Sequence, residues 1–304
     1  PMPTWKERVF DPQFGHWTEI LMVTVSIILI INSLCWLAFT LLVYLFGCSP
    51  DLHKSIKASS PVFMCILILG SIILYCSVFT FLPNVVTNFT CSALPWLADL
   101  GFVLLFGPFF AKTFRIERLW SVKTTEVFKI SNLVVLSWVL GIVLVHVIIL
   151  AAMTAFGDIR REEVVVDEIR ISYNYYQCTA NQTFTIMAGF LVALNAVLLG
   201  FGAFLAYRVR EIPMRIYNES KIIFYSVYNV LFFSIICVAL SIPNDIERYT
   251  KFILVSSFVM LGAAITVNVL FLYKIHRFVK TLNGSYSDST HQTDVSKGAK
   301  SSMV

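Results

Sequence analysis

The sequence predicts an all-α membrane protein, a bundle of seven transmembrane helices with the N-terminus outside and the C-terminus inside. Three observations carry this. Hydrophobic residues make up 58% of the 304-residue chain and charged residues only 13%, against about 45–50% and about 25% in soluble domains. Seven separate stretches reach the roughly 20 apolar residues that cross a bilayer. Lysine and arginine fall unevenly on the two sides of those stretches.

The seven stretches are Ile20–Phe46, Val62–Leu82, Leu94–Phe114, Ser131–Phe156, Phe184–Tyr207, Ile222–Ile242 and Phe252–Tyr273. None alternates apolar and polar residues at period two, which excludes a membrane β-barrel. One set of connecting segments holds Lys54, Lys57, Lys112, Arg115, Arg118, Lys123 and Lys129. The same set continues with Arg208, Arg210, Arg215, Lys221, Lys274, Arg277, Lys280, Lys297 and Lys300. Together these are sixteen of the 23 basic residues, so this side is expected to be cytoplasmic. The net charge of +5 follows from that topology and does not imply nucleic-acid binding.

Residues 1–19 read as a short extracellular segment, 20–280 as the seven-span domain and 281–304 as a disordered cytoplasmic tail rich in Ser, Thr and Gly. In the long outer connection, Val164–Val166 and Ile169–Ile171 flank Asp167-Glu168, which predicts a small β-hairpin. Asn88-Phe-Thr90 and Asn181-Gln-Thr183 are candidate glycosylation sequons on the outer side.

Enzyme chemistries fail one by one. The chain has no HExxH, no nucleophile elbow and no phosphate loop. Asp99 is the one carboxylate well inside a span, so no aspartyl pair can form there. No cysteine and histidine cluster has metal-ligand spacing, so neither a metal nor a cofactor is expected. A retinal protein needs a lysine mid-way along its last helix, whereas Lys251 and Lys274 stand at the two ends. Asp99, His146, Asn195, Asn229 and Asn268 are polar residues isolated in apolar sequence. Hydrogen bonding between helices is the reading favoured over a proton path.

Four motifs then become recognisable. Ile56-Lys-Ala-Ser-Ser-Pro61 opens the second span, and Phe106-Gly-Pro-Phe-Phe-Ala-Lys-Thr-Phe-Arg-Ile116 closes the third. Asn218-Glu-Ser-Lys221 and Ser226-Val-Tyr-Asn-Val230 open the sixth. In order on seven spans, these resemble the class C G-protein-coupled receptors, most closely the GABA-B-like branch. The resemblance covers about Ser55 to Lys274.

That resemblance implies a plasma-membrane, multi-pass receptor domain that passes an extracellular signal to a heterotrimeric G protein by helix rearrangement. The alternative is a non-signalling heterodimer partner or trafficking scaffold for a full-length class C receptor. The resemblance implies a disulfide between Cys91 and Cys178, and an ionic lock between Lys112 and Glu219. It implies G-protein-facing cations at Arg115, Arg118, Lys123, Arg208, Arg210 and Arg215, although the positive-inside rule explains most of these charges without a partner. It implies a homo- or heterodimer, with Tyr228 and Asn229 at a sixth-helix contact or bonded within their own bundle. The ligand is an unknown extracellular one, because class C receptors bind agonist in a large bilobed domain and about 19 residues precede the first span here. Either the chain is part of a longer receptor or it senses a signal through the bundle. Tyr273 stands where the family has a proline, which leaves a kink or stop there open. The terminal Ser302-Met-Val304 has the Ser-x-Val form that adds a strand to a PDZ domain.

Overall fold

The computed structural model describes residues 12–46, 61–80, 87–121, 132–164, 175–210, 220–242 and 248–301. These form seven helices: α1 (Pro12–Phe46), α2 (Pro61–Thr80), α3 (Asn88–Ser121), α4 (Asn132–Phe156), α5 (Gln182–Val209), α6 (Ser220–Ser241) and α7 (Arg248–Ser301). Each contains a segment long and apolar enough to cross a membrane, from Trp17–Leu45 in α1 to Thr250–His276 in α7. In hydrocarbon every backbone donor and acceptor must be satisfied inside the segment, and a helix does this. Buried hydroxyls follow the same rule: Ser26, Ser77 and Thr113 donate to carbonyls one turn back.

α3 is the central helix. It runs through Pro95 and Pro108 without interruption, each proline removing one intrahelical bond. Phe106 and Phe109 are buried to within 2% and pack with Ile68 and Tyr75 of α2, Val227 of α6 and Val267 of α7. α2 and α3 approach so closely that Gly70 lies against the backbone of Leu104 and Leu105. The outward faces are apolar too, with Trp138, Leu144 and Ile148 on α4 and Ile186, Phe190 and Val197 on α5 exposed. Lipid, rather than water, is the solvent these faces suit.

The predicted hairpin is present, although Asp167-Glu168 and Ile169–Ile171 lie outside the described residues. β1 (Arg160–Val164) pairs antiparallel with β2 (Tyr175–Thr179), so that Val164 faces Tyr175. Arg161 pairs with Cys178, the residue tethered to α3, and the backbone N–H of Arg161 donates to the side chain of Asn88 at 2.8 Å. The hairpin is thus linked to α3 at two points.

α7 passes through Tyr273 with no break and continues to Ser301. The composition beyond Thr281 predicts disorder, whereas the chain there is helical. No proline stands between Arg248 and Ser301, and Gly284 and Gly298 each cost a helix only about 1 kcal/mol.

Candidate functional site

At one end of the bundle, Cys91 and Cys178 form a disulfide with their Cα atoms 5.6 Å apart. Cys91 lies in the first turn of α3 and is buried, and Cys178 sits in β2. The bond therefore ties the hairpin to the central helix. The two sequon asparagines are structural parts of this end. Asn181 caps α5, its Oδ1 accepting from the N–H of Phe184 at 2.9 Å while its Nδ2 donates to the carbonyl of Phe156 at 2.8 Å. Asn88 holds the hairpin through Arg161, as described above.

The residues that were isolated in sequence meet in space. Asp99 of α3 is linked through Oδ2 to Nδ1 of His146 on α4 at 2.8 Å. Its Oδ1 accepts from Nδ2 of Asn195 on α5 at 2.7 Å. His146 is 3% exposed and Asp99 9%, so this cluster is a polar knot joining three helices inside apolar surroundings. Asn229 of α6 donates to the carbonyl of Gly262 at 3.0 Å and to Oγ1 of Thr266 at 2.8 Å, both on α7. Asn268 of α7 accepts from Asn32 and from the indole N–H of Trp36 on α1. Tyr228 packs with the core and its ring lies 4.4 Å from that of Phe224. Both sixth-helix residues thus make contacts within their own bundle.

A cavity of about 600 Å³ opens between α5 and α6 and reaches α7, lined by Phe102, Leu199, Ser234, Cys237, Ser256 and Val259 among others. Asn195 also lines it. Asn195 Oδ1 and Ser256 Oγ are buried without a hydrogen-bond partner among the described residues. The wall is mostly apolar with a few polar groups, and the volume suits a small apolar molecule carrying one or two hydrogen-bonding groups.

The opposite end is basic. Lys112 lies one helical turn beyond Pro108 on α3, and Arg115 follows it. Arg118 is in the last turn of α3. Glu219, Lys123 and Arg215 lie outside the described residues. Arg208 of α5 reaches across to α3, where its Nη1 stands 3.1 Å from Oε1 of Glu117. The guanidinium of Arg210 lies 4.7 Å from the ring centre of Tyr207 and 5.8 Å from that of Phe224. Glu117 is the residue that sequence reasoning passed over. Its signal was present: a single acid in the basic run from Lys112 to Arg118, which in a bundle calls for a partner on another helix.

Comparison with known proteins decides the family. The family model described as "7 transmembrane sweet-taste receptor of 3 GCPR" matches residues 15–277, all seven spans. The chain belongs to the class C G-protein-coupled receptors. Its class C domain is 31% identical over 222 residues to "Metabotropic glutamate receptor-like protein N" of Dictyostelium discoideum, covering 72% of this chain and 24% of that protein. It is 31% identical over 223 residues to "Metabotropic glutamate receptor-like protein E" of the same organism, covering 73% of this chain and 27% of that protein. With "Metabotropic glutamate receptor-like protein J", again from Dictyostelium discoideum, it shares 29% over 254 residues, 82% of this chain and 32% of that protein. The chain thus spans about a quarter to a third of the length of these curated relatives. Class C members are receptors rather than enzymes, and a class C domain with seven spans is a multi-pass protein of the plasma membrane.

Proposed function

We propose that this class C domain transmits an extracellular signal to a heterotrimeric G protein, as a GABA-B-like receptor. The disulfide end faces outward and the basic end faces the cytoplasm. The observation that carries the reading is the contrast between the two ends on one seven-span bundle. A covalent bond fixes the hairpin to α3 at one end. At the other, separate helices are held by charge, as between Glu117 and Arg208, and such contacts can open and close. Lys112 and Glu219 form the ionic lock in this reading, and its release accompanies activation. The basic residues Arg115, Arg118, Lys123, Arg208, Arg210 and Arg215 then complement an acidic partner. Tyr228-Asn229 matches the GABA-B branch in particular, and the active receptor is a dimer.

The test is basal nucleotide exchange on a panel of G proteins in membranes, comparing the wild type with Glu219→Ala. Exchange should rise in the variant by about twofold to fivefold. No exchange from either form, with both present at the cell surface, overturns the proposal. If the silent protein also co-purifies with a larger receptor, it is a non-signalling partner instead.

A further inference from the structure

At the basic end an ion pair joins α3 and α5, and neither of its members belongs to the Lys112 and Glu219 pair. Glu117 Oε1 and Arg208 Nη1 are 3.1 Å apart. The carboxylate side of this contact is withdrawn: Glu117 is only 15% exposed, whereas Arg208 is 54% exposed. The guanidinium also lies 6.0 Å from the ring centre of Phe204, one turn back on α5. Glu117 extends from a helix whose neighbouring side chain, Ile116, is part of the core.

A half-buried carboxylate needs a cation more than an exposed arginine needs a carboxylate. Separating the inner ends of α3 and α5 would strand Glu117 in a place where water cannot fully solvate it. Arg208, by contrast, can turn to water or to another acid at little cost. The asymmetry makes the contact favour the arrangement in which α3 and α5 lie together. The exposed guanidinium is also within reach of an outside acid, which would compete with Glu117 for it.

We propose that Glu117 and Arg208 form a latch between α3 and α5 that holds the basic end closed, and that an acidic segment of a partner opens it by taking Arg208 from Glu117. The latch rests on the receptor reading for its consequence, but not for its existence. Two measurements keep them apart. The first is hydrogen–deuterium exchange of the purified full chain at the basic ends of α3 and α5, with no G protein present. Glu117→Gln, close in shape but uncharged, should raise exchange there by about twofold to fivefold. The double variant Glu117→Arg with Arg208→Glu should return it to within about twofold of the wild type, since the pair is restored in reverse. The second is basal nucleotide exchange on the same proteins, which should rise in Glu117→Gln and fall back in the double variant.

Unchanged protection in Glu117→Gln overturns the latch, whatever the nucleotide result. Failure of the reversed pair to restore protection overturns it as well, by showing that Glu117 acts through packing alone. Changed protection with restoration, but no nucleotide exchange from any form, supports the latch and overturns the receptor reading.

Discussion

Gly70 has no room for a side chain. A Cβ added there would lie 2.3 Å from the backbone nitrogen of Leu105 and 2.6 Å from the carbonyl carbon of Leu104. Neither atom is the end of a flexible side chain, so one helix must move. Small residues let membrane helices approach backbone to backbone, where van der Waals packing does the work that hydrophobic burial does in water. Gly70→Ala should destabilise the domain by about 1–3 kcal/mol, the usual cost of overpacking, read as a lower melting temperature in detergent. An unchanged melting temperature would mean that α2 and α3 do not meet this closely. Asp99 shows the same dependence on neighbours. Its sequence context names no partner, yet His146 and Asn195 lie 47 and 96 residues away in the chain and within hydrogen-bonding distance.

Among the elements, the β1–β2 hairpin is the one that depends most on a tether. A two-stranded ribbon is marginal alone in water. Here it is joined to α3 by the Cys91–Cys178 bond and by the Asn88–Arg161 hydrogen bond. The bond closes a loop of 87 residues. Cys178→Ser should therefore cost about 2–4 kcal/mol if the loss of unfolded-chain restriction is fully felt. Thermal unfolding under non-reducing conditions measures it, and reductant should lower the wild type toward the variant. The hairpin was legible in the sequence from Val164–Val166 and Ile169–Ile171 on either side of Asp167-Glu168. Its hydrogen bond to α3 was not, because Asn88 belongs to another element.

Over the whole molecule, burial is uneven. Leu67, Ile68, Leu74, Tyr75 and Val78 of α2 are in the core, whereas Ile186, Phe190, Val192, Val197, Phe201 and Phe204 of α5 are exposed. The two helices are similarly apolar, so hydropathy does not distinguish them. Lipid solvates an exposed side chain about as well as a neighbouring helix does, and what a buried one adds is packing. Alanine substitutions at the core positions of α2 should lower the melting temperature by several degrees each, and those at the outward positions of α5 by little. Equal sensitivity along both helices would mean that the faces are assigned wrongly, or that α5 is covered by a second protomer.

The number of spans, their approximate limits and the imbalance of charge between the two ends were determined by the sequence alone. Each depends on properties a residue carries by itself: transfer of apolar side chains into lipid, and exclusion of charge from it. The class C motifs were readable for a related reason, since they are runs of adjacent residues. Tertiary structure decided the rest. It chose which face of each helix turns inward, joined Asp99 to His146 and Asn195, gave the amide of Asn229 to α7, and set Glu117 against Arg208. These are pairings between helices, and nothing in a chain's local composition records which helix stands beside which.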